Sequence, residues 1–159
     1  MGNKARRRNF DMCKSNYTVR ETEDYKRLAD FYDENGLEVT ADKEPPGELI
    51  NNWECVDEDG RLLAAATLLR KEDLFVFEDL AVADGYRNTG IGKHLIEIVK
   101  EEAQKKGADV LWGCGKVPEY YTKMGWEIVP REDAPAISLC QNCEDFHVTC
   151  FPQIIKYKF

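Results

Sequence analysis

The sequence predicts an α/β fold, and two observations carry that reading. The first is the stretch FVFEDLAVADGYRNTGIGKHLIEIVKEEAQKKG from Phe75 to Gly107, which divides into a strand, a short Gly-containing loop and an amphipathic helix. The second is Leu62 to Leu69, nearly all apolar, the pattern of a strand covered on both faces. A chain of 159 residues that is 43% apolar and 33% charged is long enough for one globular domain with a sizeable core. Residues 1–14, with Lys4, Arg6, Arg7 and Arg8, are expected to form a disordered basic tail, and residues 15–159 a single domain.

Taken in order, Tyr17 to Arg20 alternates briefly as a strand. Thr22 and Asp24 then supply an N-cap signal before Tyr25, Leu28, Ala29 and Tyr32 at helical spacing. Asn35-Gly36 ends that helix. Glu38 to Gly47, with Pro45-Pro46, is expected as a surface loop, and Glu48 to Asn52 as one further helical turn. Trp53 to Val56, the turn Asp57 to Gly60 and Arg61 to Leu69 read as a hairpin. Lys71-Glu72-Asp73 turns into the central strand, whose alternation places Val76, Glu78, Leu80 and Val82 on one face and Asp79 on the other.

The following helix is marked by Ile91, Leu95, Ile98, Val99 and Ala103, with Gly107 as its left-handed cap. Val110 to Trp112 is a short buried strand, and Pro118 opens a short helix through Met124. Trp126 to Val129 and Ala136 to Leu139 start the last strands, and Phe151 to Phe159 closes the sheet.

Between the central strand and its helix lies Arg87-Asn88-Thr89-Gly90-Ile91-Gly92. Gly90 and Gly92 keep side chains off the first helical turn, so its N–H groups can face an anion, with phosphate the natural ligand. Alternatively the glycines serve only close helix packing. The spacing is neither the dinucleotide-binding fingerprint nor a Walker loop.

Asp79-Leu80-Ala81-Val82, followed by Tyr86-Arg87-x-x-Gly90-Ile91-Gly92 and Leu95, closely resembles the acetyl-CoA-binding motif of the GNAT superfamily of N-acetyltransferases. Downstream, Tyr120-Tyr121-Thr122-Lys123-Met124-Gly125-Trp126 looks like that superfamily's aromatic-Tyr-x-x-x-Gly-aromatic segment. The resemblance implies a mixed central sheet of about seven strands with helices on both faces, in the order β-α-α-β-β-β-α-β-α-β-β. It also implies an acyl-CoA-dependent acyltransferase with acetyl-CoA as cosubstrate and a small-molecule amine or a lysine as acceptor, working as a monomer or homodimer.

Direct attack of an amine on a thioester requires the amine to lose a proton, and a lysine-like amine has a solution pKa of about 10.4. The resemblance makes Glu78, on the central strand two residues before Leu80, the candidate base; other members carry the carboxylate at the position of Val76. A solvated strand carboxylate is the alternative. Tyr121, four residues before Gly125, is the candidate acid, whose phenol can hydrogen-bond the thioester sulfur, or else a packed aromatic with no chemical role. Leu80, Ala81 and Val82 are expected to contribute backbone groups, one N–H polarising the acetyl carbonyl and the others pairing with pantetheine amides. Arg87, Asn88, Thr89, Gly90, Ile91, Gly92 and Lys93 are expected to hold the pyrophosphate. His94 reads as a solvated helix residue. The loop Gly36 to Gly47 and the last hairpin are expected to wall the acceptor site.

A formal charge of −8 argues against nucleic acid as a partner and suits a cationic amine. No apolar run approaches the roughly 20 residues of a membrane span, and the basic N-terminus lacks the apolar run of a secretory signal, so a cytoplasmic protein is expected. Of the six cysteines, Cys13, Cys55 and Cys114 are scattered, while Cys140, Cys143 and Cys150 cluster with His147. That cluster could hold Zn²⁺, form a redox pair or stay as reduced thiols. A non-enzymatic CoA-binding sensor or interaction module with a Cys-rich tail is the alternative function.

Overall fold

The structure is a computed structural model and describes residues 16–142 and 152–159; the basic tail of residues 1–14 lies outside them. In chain order the elements are β1 (Thr18–Thr22), α1 (Tyr25–Glu34), β2 (Glu48–Val56), β3 (Leu62–Lys71), β4 (Leu74–Val82), α2 (Ile91–Lys105), β5 (Val110–Gly115), α3 (Pro118–Thr122), β6 (Glu127–Val129) and β7 (Gln153–Lys158). The seven strands form one mixed sheet in the order β1-β2-β3-β4-β5-β7-β6. The chain thus inserts its last strand between two earlier ones. Among the described residues only β4 and β5 pair in parallel; the other pairs are antiparallel.

Local chemistry sets the helix ends. Asp24 caps α1 by accepting from the Arg27 N–H at 3.2 Å, and Gly36 leaves the helix at a φ of +86°. At the end of α2, Gly107 donates to Gln104 O and Ala108 to Ala103 O, with Gly107 at φ +101°, which completes a Schellman motif. Each helix buries one stripe. In α2, Ile91, Leu95, Ile96, Val99 and Ala103 pack with Ala64, Ala66 and Leu68 of β3. In α1, Tyr25, Leu28, Ala29, Phe31 and Tyr32 pack with Ala65 and Ala81. Leu63 to Leu69 are all buried, as a strand covered on both faces requires.

Three expectations fail. Glu48 to Asn52 is the start of β2, not a helical turn, because it pairs along β3 through a bulge between Leu49 and Asn51. Only one helix therefore separates β1 from β2, where the β-α-α order required two. Ala136 to Leu139 starts no strand. The side chain of Gln141 accepts from the N–H groups of Ile137 and Ser138 at 2.9 Å and donates to Pro135 O, meeting backbone needs that a ladder would otherwise meet, and a 3-10 turn follows at Leu139–Asn142.

The third failure shapes the site. Thr67 pairs with Asp79 but Leu68 pairs with Phe77, so Glu78 is the extra residue of a β-bulge. Strand parity reverses there. Phe75 and Phe77 share the α2 face with Leu80 and Val82, whereas Val76 packs with Val129, Ile137 and Ile154.

Beside the bulge is a fully buried polar chain. Thr67 donates to Asn52 Oδ1 at 2.8 Å and therefore accepts from the Tyr32 hydroxyl, also at 2.8 Å, while Asn52 Nδ2 donates to Thr22 O. Thr67→Val is expected to destabilise the fold by about 1–3 kcal/mol in urea unfolding, because it strands two buried partners without adding volume.

Candidate active site

The parallel pairing of β4 and β5 covers only Phe75–Phe77 against Leu111–Gly113, although β4 runs on to Val82 and β5 to Gly115. Beyond that point the strands separate. A cavity of about 650 Å³ fills the gap, lined at its wall by Glu78, Asp79, Leu80, Ala81, Val82, Cys114 and Tyr121. The bulge lies where the separation begins.

At one end of the cavity is the start of α2. Gly90, in the left-handed region at φ +93°, caps the helix with no side-chain hydrogen bond, and the first backbone bond of the helix is His94 N–H to Gly90 O. The N–H groups of Ile91, Gly92 and Lys93 precede that bond and form a cradle of donors at the positive end of the dipole. Arg87, Asn88, Gly90, Gly92 and Lys93 line the cavity; Thr89 donates to Tyr86 O, and the Ile91 side chain is buried in the core. A backbone role is what remains for Ile91. Arg87 donates through Nε to Val82 O at 2.9 Å and pairs with Asp84 at 3.0 Å, so the Val82 carbonyl already has a donor. Leu80, two residues earlier on the same edge, presents its backbone toward the gap.

At the other end carboxylates gather. Glu78 is 6% exposed in its side chain and pairs with Lys71 at 2.9 Å. Burial pushes its carboxyl above the ordinary carboxylate range, and the Lys71 ammonium partly opposes that rise. Lys71 also donates to Ile137 O, tying the segment that carries Ser138 and Leu139 to the cavity wall. Sequence alternation kept Asp79 away from Glu78. The bulge instead brings both into the cavity lining, and both raise the Tyr25 phenol, after burial itself and with Asp79 the larger of the two. Asn35, Leu37 and Glu38 form the facing wall, where Lys116 donates to Gly36 O across 80 positions of sequence at 2.5 Å. Lys71, Asp79 and Lys116 carried no decisive sequence signal, since their proximity depends on the bulge and on strand separation.

Tyr121 stands between the two ends. Its ring packs edge-on to Trp126 at 5.6 Å, and Trp126 leans on Phe77 at 6.3 Å. Gly115 leaves the room this needs, because a Cβ there would approach the Tyr121 ring to 3.1 Å. Gly125, at φ +95°, turns the chain so that the Trp126 N–H returns to Tyr121 O, which explains the spacing of that motif. Burial, then Tyr120 and Cys114, push the Tyr121 phenol well above its ordinary value, so it stays protonated. His94, expected in solvent, is half-buried, with its ring tilted at 57° to that of Tyr17 and the centroids 6.4 Å apart. Cys143, His147 and Cys150 lie outside the described residues, as does the side chain of Cys140. No helix among the described residues is long and apolar enough to cross a membrane.

Residues 51–128 match the sequence model of a family described as an acetyltransferase (GNAT) domain. No curated protein sequence matches the chain. Among solved structures, a GNAT-family acetyltransferase from Staphylococcus aureus Mu50 is similar at a TM-score of 0.66 and 15% identity, over 90% of this chain and 99% of that one. The ribosomal-protein-S18-alanine N-acetyltransferase of Escherichia coli follows at 0.64 and 16%, over 90% and 94%. N-acetylglutamate synthase from Neisseria gonorrhoeae, complexed with coenzyme A and N-acetyl-glutamate, is similar at 0.63 and 16%, over 91% of this chain and 35% of that one.

Proposed function

The chain belongs to the GNAT family of acetyltransferases, and on that premise we propose that it transfers an acetyl group from acetyl-CoA to a primary amine by direct attack within a ternary complex. The observation that carries this reading is the grouping of charge in one cavity lining: Arg87, Lys93 and the open amides of α2 in one part, and in another the carboxylates Glu38, Glu78 and Asp79, beside which Lys71 is held by Glu78 and Lys116 by Gly36 O. An anionic nucleotide suits the first part. A cationic acceptor suits the second.

Acetyl-CoA supplies the activated acyl group as a thioester. The amides of Ile91 to Lys93, with Arg87 and Lys93, receive its diphosphate. The unpaired edge of β4 takes the pantetheine arm as an added strand would, and the Leu80 N–H polarises the acetyl carbonyl. Glu78 accepts the proton the ammonium must lose before its nitrogen can attack. Tyr121 donates its O–H to the departing sulfur. One N–C bond forms and one C–S bond breaks, and two protons leave the ammonium nitrogen as it becomes an amide: Glu78 passes one to solvent, and the other restores the O–H that Tyr121 gave to sulfur.

Two assays test this. Calorimetry is expected to give a CoA dissociation constant in the micromolar range, and absence of binding at millimolar CoA would end the reading. Release of CoA thiol is then measured across an amine panel that pairs cadaverine with free lysine, which differ only by a carboxylate. Cadaverine is expected to be the better substrate by about tenfold or more in kcat/KM, since that carboxylate would face the acidic wall. Binding without turnover on any amine would mark a non-catalytic CoA module.

A further inference from the structure

Tyr120 has no assigned role, its neighbour Tyr121 having taken the chemical one. Its side chain is 42% exposed at the cavity wall, on the short helix α3. A Cβ built on Gly92 would meet its hydroxyl at 3.2 Å, so the phenolic oxygen overhangs the first turn of α2. Tyr120 and Tyr121 pack edge to face at 5.4 Å and 84°, so one aromatic pair reaches two parts of the cavity: Tyr120 the start of α2, Tyr121 the face of Gly115. No hydrogen bond of the Tyr120 hydroxyl occurs among the described residues. Desolvation raises this phenol, which keeps it a donor under any ordinary assay condition.

We infer that Tyr120 is a cofactor-binding residue that donates its hydroxyl to the diphosphate held on the α2 amides, and that Gly92 is required there chiefly to leave this hydroxyl its place. The inference rests on the acetyl-CoA reading above. An O–H lying over a cradle of backbone donors meets any anion bound in the cradle from the opposite side, which adds a charge-assisted hydrogen bond and covers the anion against water. It also gives Gly92 a role distinct from that of Gly90. Gly90 is needed for a left-handed backbone, whereas Gly92 has no unusual φ and is constrained by the tyrosine above it.

The test is calorimetry of the full chain with CoA and kinetics with acetyl-pantetheine, which lacks the diphosphate. Tyr120→Phe is expected to weaken CoA binding about tenfold, the scale of one hydrogen bond to a charged group at a half-exposed site, and to raise KM for acetyl-CoA by a similar factor while KM for acetyl-pantetheine rises less than about twofold. Gly92→Ala is expected to weaken CoA about tenfold in the parent protein and less than about twofold in the Tyr120→Phe background, because the added methyl then displaces nothing that binds. Equal CoA affinity of Tyr120→Phe and the parent would overturn the inference, as would additive losses in the double variant. Failure of the parent to bind CoA would instead remove the acetyl-CoA reading itself.

Discussion

Glu78→Gln is expected to lower kcat by roughly 10²- to 10⁴-fold while CoA affinity stays within about twofold of the parent, because a general base acts on the acceptor and not on the nucleotide. The glutamine amide is close to isosteric and still accepts a hydrogen bond from Lys71, so the ammonium keeps a partner. The pH profile makes the assignment specific. Burial is the larger influence on Glu78 and raises its carboxyl, so the acidic limb of kcat/KM should lie above the ordinary glutamate value of 4.5. Below that limb Glu78 is protonated and cannot accept. Lys71→Met removes the cation that opposes the rise, and the limb should then move to higher pH; a purely structural role for Lys71 would reduce the amplitude without moving the limb. Full activity of Glu78→Gln combined with inactivity of Asp79→Asn would transfer the role to Asp79, the second carboxylate the bulge brings to the wall.

Tyr121→Phe is expected to lower kcat by roughly 10²-fold or more, again with CoA affinity retained. The ring contacts with Trp126 and Gly115 survive this change, so what is lost is the hydroxyl alone. Because burial holds the phenol well above its ordinary value, ionisation of Tyr121 should not produce an alkaline limb below about pH 10. Stopped-assay measurement of CoA thiol release at saturating acetyl-CoA and amine separates the two outcomes. Unchanged turnover would reduce Tyr121 to a packing residue.

Much of the architecture was legible where local chemistry decides it. Asp24 and Gly107 announced helix ends that the structure keeps, since an N-cap carboxylate and a left-handed glycine act on their own backbone neighbours. The apolar run of β3 announced cover on both faces. The candidate site was legible as a pair of motifs from which the fold brings Leu80 to Val82, Arg87, Asn88, Gly90, Gly92, Lys93 and Tyr121 to one cavity. Ala136 to Leu139 was misread because the competing partner is a side chain: Gln141 meets the backbone needs that a strand would have met. Glu48 to Asn52 was misread because a short polar-apolar segment pairs along β3 only once that neighbour is in place.

By itself, then, the sequence determined the strand-loop-helix unit, its glycine cradle, the aromatic segment that carries Tyr121, and the acidic character of the chain. These depend on residues close in sequence. Only the tertiary structure decided that β7 lies between β5 and β6, that β4 and β5 separate beyond Phe77, and that Glu78 is the extra residue of a bulge. Each of those depends on which strand stands opposite which, and a period-two pattern cannot register an inserted residue whose only sign is the pairing of Thr67 and Leu68 with partners two apart. That one insertion reversed the parity of the central strand and brought Glu78 and Asp79 to the same wall.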